Sequence, residues 1–152
     1  MIYAHDSLIV QTLSRHLIPL IQLFGLYVVF FGQYGPGGGF VGGVIVGTSL
    51  IFGVLVFGLD TSRSAIVNRV LHGDGLGLLI YAGVGGLCLI GGGEFLNYAD
   101  LQIPGMESAT RRYFGILLTQ IGVATDVAVT AISIVMSLSP TDQDEEPNGS
   151  NH

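Results

Sequence analysis

Hydrophobic positions along this 152-residue chain come in long blocks, not in strict alternation, and four blocks are long enough to cross a bilayer. They cover residues 8–31, 40–59, 75–98 and 113–138. Each has the roughly 20 residues that span about 30 Å of hydrocarbon as a helix. The pattern predicts an all-α fold, an integral membrane four-helix bundle occupying residues 1–139 as one transmembrane domain. Residues 140–152 turn polar and acidic and predict a disordered tail. The connection 60–74 carries Arg63, Arg69 and His72, and 99–112 carries Asp100, Glu107, Arg111 and Arg112 with a Pro104-Gly105 turn signal.

Polar residues break the blocks at helical spacing. In the fourth block Gly115, Thr119, Gly122, Asp126, Thr130, Ser133 and Ser137 form one narrow stripe among Ile, Leu, Val and Ala. Asp126 falls mid-block, where a carboxylate costs at least about 2.5–3.5 kcal/mol. It is either part of a proton or cation relay or a hydrogen-bonded packing residue, and Thr119 and Thr130 on its stripe share that reading. In the first block Gln11, Arg15, Gln22 and Gly25 share a face. Arg15 either snorkels to the membrane surface or pairs with an acid. His16, off that face, is a candidate proton exchanger or a packing histidine. Pro19 frees a carbonyl one turn earlier and predicts a kink. Glu94, about one turn from the end of the third block, is an interfacial acid or a second acid on an ion path.

Glycine organises the second block. Residues 32–43 read Gly-Gln-Tyr-Gly-Pro-Gly-Gly-Gly-Phe-Val-Gly-Gly between two apolar runs. Backbone that irregular at membrane depth must be covered by protein or face water. Pro36, Gly37, Gly38, Gly39 and Phe40 therefore mark either a tight hairpin or the vestibule of a cation path. Gly39, Gly43 and Gly47 recur every four residues, and Gly43 and Gly47 predict a close helix–helix contact.

Composition agrees with a membrane protein. Only 11% of residues are charged, where a soluble domain carries about 25%. The mean hydropathy is +0.65. All five cations are arginine, and glycine occurs 24 times. The first block is too long for a secretory signal and lacks a basic leader. A net charge of −6, concentrated in the tail, argues against nucleic acid or anionic lipid as a partner. The single cysteine, Cys88, reads as a small core residue. With four crossings both termini share a side with residues 60–74. Arg15, Arg63 and Arg69 there against Arg111 and Arg112 opposite favour cytoplasmic termini.

No nucleophile–base pair, metal-ligand spacing, haem sequence or phosphate loop appears, so the expectation is a protein that is not an enzyme and carries no cofactor. The run Gly35-Pro36-Gly37-Gly38-Gly39-Phe40, followed by Gly42-Gly43, resembles the signature of the B subunit of Mrp-type (Mnh) multisubunit sodium/proton antiporters. Pro19-Leu20-Ile21 and Phe24-Gly25-Leu26-Tyr27 are similar to that family's first helix. The likeness is strongest over residues 8–58. Glu94-Phe95-Leu96 stands where the family usually has Pro-Phe-Leu, and Tyr113-Phe114-Gly115-Ile116 where it usually has Asp before Gly-Val. The resemblance implies a non-catalytic subunit in a prokaryotic cell membrane, embedded in lipid beside other subunits, helping couple transport of sodium to that of protons. An antiporter-like subunit of a membrane-bound hydrogenase-type complex and a purely structural membrane subunit are the alternatives.

Overall fold

The computed structural model describes residues 8–57, 75–100 and 105–138. The expected arginine-bearing connection 60–74, the turn signal at Pro104 and the acidic tail 140–152 lie outside the described residues. Within them the chain forms four α-helices, α1 (Leu8–Phe31), α2 (Gly39–Phe57), α3 (Leu76–Ile90) and α4 (Ser108–Leu138), with a 3-10 turn at Tyr98–Asp100 before α4. Three of them, α1, α2 and α4, are long and apolar enough to cross a membrane.

The first block is helical from end to end, with Pro19 inside it. It stops at Gly32, where Tyr34 N–H turns back to the Phe31 carbonyl at 3.0 Å. The fourth helix starts five residues before its expected block, so that Arg111 and Arg112 are helical.

The third block departs from expectation. It is helical only over its first part, and Glu94, Phe95 and Leu96 lie in a turn instead of a helix. The reason is local. Gly92 takes the left-handed conformation (φ 83°), Gly93 N–H bonds the Cys88 carbonyl at 3.2 Å and Gly92 N–H bonds that of Leu89 at 3.0 Å. That pair of bonds is a Schellman motif, which satisfies the last carbonyls and ends the helix. Fifteen residues rise about 22 Å, short of the hydrocarbon thickness.

Glycines set the packing. Gly25 on α1 meets Gly42 on α2: a Cβ on Gly42 would lie 2.8 Å from the Gly25 carbonyl oxygen. Gly39, Gly43 and Gly47 on α2 meet Gln120, Ala124 and Ala128 on α4 in the same order, so these two helices run parallel. Gly77 on α3 meets Gly122 on α4, and Tyr98, further along the chain, meets Gly115, so α3 runs antiparallel to α4. The central pair is α2 and α4, with α1 against α2 and α3 against α4. Leu8, Phe57 and Leu138 thus end up at one end of the bundle. Since α2 and α4 are parallel, both start at the same end of the bundle. The helix α3 runs the opposite way, with Gly77 and Ile80 beside Gly122 and Asp126 of α4.

The interior is made of small side chains. Val29, Val54, Val84, Cys88, Ala128 and Ile132 are buried, while leucines and phenylalanines such as Leu20, Leu23, Phe24, Leu55 and Leu79 point outward. A water-soluble bundle would reverse this arrangement. In hydrocarbon, helix association relies on close backbone approach by small residues.

Candidate functional site

The densest polar arrangement lies on α4 between Gly115 and Asp126. Its helical spacing sends two sets of side chains in different directions. Gly115, Thr119, Gly122 and Asp126 face α3 and the turn after it, and Gln120, Ala124 and Ala128 face α2.

Thr119 is buried, and its hydroxyl donates within its own helix to the Gly115 and Ile116 carbonyls at 2.9 and 2.8 Å. It also stands 3.2 Å from the Tyr98 hydroxyl, which can donate to it. Tyr98 reaches this point because the chain turns sharply after α3. Leu96 adopts φ 64°, and the Phe95 and Tyr98 rings then fold back onto the helices, Phe95 against Gly85 of α3 and Tyr98 against Gly115 of α4. Glycine at both positions is required, since a methyl there would overlap the rings.

Asp126 lies seven residues further along the same face, half-buried against the first turn of α3. A Cβ on Gly77 would sit 2.7 Å from the Asp126 Cβ and backbone nitrogen. Among the described residues its carboxylate has no hydrogen-bond or ion-pair partner.

The other candidates do not converge on it. Thr130 is exposed on α4 beyond the reach of α3, and Glu94 is exposed in the turn after α3. Arg15 and His16 are exposed on α1. His16 Nδ1–H donates to the Thr12 carbonyl at 3.0 Å. Ile18 packs on Gly53, so Arg15, three residues earlier in an antiparallel helix, stands close to the Phe57 end of α2. From there a guanidinium can reach the membrane surface. Gln22 enters a pocket of about 230 Å³ between α1, α2 and α4 that also holds Ser49 and Ile132.

The glycine-rich turn is built against α4. Gly38 and Gly39 are buried, while Pro36, Gly37 and Phe40 are exposed. Gly38 has φ 119°, a conformation that L side chains rarely adopt. Gly39 N–H donates to the side-chain carbonyl Oε1 of Gln120. Gly43 and Gly47 continue the same contact along Ala124, Val127, Ala128 and Ala131.

Gln120 and Tyr98 are the two polar contact residues that the sequence pattern does not single out. The available signal for Gln120 is an uncharged amide inside an apolar block, which must find a partner in hydrocarbon. Among the described residues no group of three or more His, Cys, Asp or Glu side chains is placed to hold a metal ion.

Sequence comparison places this bundle among known proteins. The sequence profile for the domain related to the MnhB subunit of Na+/H+ antiporter matches residues 9–133. The B subunit of the Na(+)/H(+) antiporter of Bacillus subtilis (strain 168) is 33% identical over 132 residues, covering 82% of this chain and 92% of that protein. The B subunit of the Na(+)/H(+) antiporter of Alkalihalophilus pseudofirmus is 31% identical over 133 residues, with the same shares covered. The match runs from the start of α1 into the last turns of α4, and so takes in the glycine-rich turn, Thr119, Gln120 and Asp126 alike. A multi-pass membrane chain matched over this much of its length belongs to the family of MnhB-related antiporter subunits.

Proposed function

We propose that this chain is a non-catalytic membrane subunit of a multisubunit cation/proton antiporter, helping to couple sodium transport to proton transport. The observation that carries the reading is the near full-length match to proteins named as B subunits of Na(+)/H(+) antiporters. The architecture supports it: three long apolar helices, a small-residue interior and a half-buried carboxylate without a partner among the described residues. Its partners are the other subunits of the complex and the surrounding lipid. The transported ions are sodium and protons, and Asp126, with Thr119 on its face, is where this chain would contribute to their path. Both termini lie on the cytoplasmic side. In support, the N-terminal end of α1 and the C-terminal end of α4 share one end of the bundle, and the arginine balance favours that end as cytoplasmic.

The test is genetic and biochemical together. Removing this chain from its complex should abolish sodium-dependent proton movement in everted vesicles. Liposomes holding the purified chain alone should show none. Activity from the chain alone, or full activity without it, would overturn the reading.

A further inference from the structure

We infer that Gln120 is a positioning residue, the cap of α2 supplied from a different helix. The first amides of a helix have no partner within it, and a Ser, Thr, Asp or Asn side chain usually accepts from one of them. Here the residues at the start of α2 are Gly37, Gly38 and Gly39, which carry no side chain to do so. Gln120 provides the missing acceptor from α4, taking the Gly39 N–H on Oε1.

The glycines are shaped to receive it. A Cβ on Gly38 would stand 2.8 Å from Gln120 Oε1, and a Cβ on Gly39 would meet the Gln120 backbone, 3.0 Å from its Cα. Glycine at both positions therefore makes room for this one residue, at 38 for its amide and at 39 for its main chain. On the next residue back, Thr119 bonds Tyr98 of the turn after α3. Residues 119 and 120 of α4 thus fasten both connections at that end of the bundle, one through a hydroxyl and one through an amide. The role of Gln120 stands whether or not the complex moves sodium.

The experiment uses the intact complex with a spin label on Gly35→Cys. Gly35 is exposed with nothing within 4 Å of a built Cβ, and the sole native cysteine, Cys88, is fully buried. Three further changes are compared in that background: Gln120→Glu, which keeps the acceptor; Gln120→Met, which keeps length but loses it; and Tyr98→Phe, which loosens the other connection only. The expected result is loss of the immobilised component of the spectrum in Gln120→Met, with Gln120→Glu and Tyr98→Phe close to the parent. Failure of Gln120→Met to accumulate while Gln120→Glu does so normally also supports the inference. Equal behaviour of the two Gln120 variants, both normal or both defective, overturns it.

Discussion

Gly77 and Asp126 share one contact: the first turn of α3 lies so close to α4 that any side chain at 77 would strike the Asp126 Cβ at 2.7 Å. The bare backbone of Gly77 brings the start of α3 directly over the carboxylate-bearing residue. This relationship gives the first expected outcome. Asp126→Asn, which keeps size and hydrogen bonding but cannot ionise, should leave the complex assembled and impair transport severalfold. A packing role for Asp126 would leave transport normal. Gly77→Val should disturb α3 against α4 and lower the yield of folded chain in both cases. The check is proton flux against sodium concentration, with assembly followed by native gel.

Glycines buried at crossings should behave differently from those that face outward. A Cβ at Gly43 would lie 2.7 Å from the Ala124 carbonyl oxygen, whereas Gly83 has open space around it. Gly43→Ala should lower the thermal stability of the purified chain in detergent. Gly83→Ala should raise it slightly, by up to about 1 kcal/mol, because alanine is the better helix former. Equal effects at the two sites would mean that Gly43 does not mark a close approach.

Tyr98→Phe removes a single hydroxyl and leaves Thr119 with two carbonyl partners of its own. Interhelical hydrogen bonds in membranes average about 0.6 kcal/mol. A loss of that order in unfolding free energy is expected. Gly115→Leu, by contrast, displaces the whole Tyr98 ring and should cost far more.

Topology is checked by cysteine labelling. Gln33 sits in the turn between α1 and α2, at the end of the bundle opposite Leu8 and Leu138. Reagent that cannot cross the membrane should label Gln33→Cys and Asp142→Cys from opposite sides, with Asp142→Cys labelled from the cytoplasm. Labelling of both from one side would remove an even number of crossings.

In the turn itself, Gly38→Ala should be the more damaging of Gly38→Ala and Phe40→Ala. Gly38 is buried with φ 119°, while the Phe40 side chain is exposed on the outside of α2. A defect in Phe40→Ala confined to assembly would assign that ring to contact with another subunit, and a defect confined to apparent sodium affinity would place it beside the ion path.

Much of this was legible in the chain. Apolar block length located α1 from Leu8 to Phe31, and the four-residue glycine spacing marked the face of α2 that meets α4. Block length said less about α3, because hydropathy records the side chains and not whether the backbone continues as a helix. The Gly91-Gly92-Gly93 run ended that helix through hydrogen bonds that hydropathy does not register. The polar stripe on α4 was visible, but not its division: Thr119 and Asp126 turn toward α3, whereas Thr130 lies beyond it. Gln120 was hidden because its partner is a main-chain amide 81 positions away, which no side-chain pattern can announce.

The α2–α4 contact repeats every four residues, glycine over glutamine and then glycine over alanine twice. A shift of one helical turn, about 5.4 Å, would lay Gly47 over Ile132 in one direction, and Gly39 over Ile116 and Gly43 over Gln120 in the other. Side-chain size therefore opposes a slip in either direction. Gln120 adds a polar check to that register, its amide oxygen accepting from the Gly39 N–H. Packing and one hydrogen bond at the end of the ladder thus agree on the phase of the interface, and with it on the depth at which α4 carries Asp126.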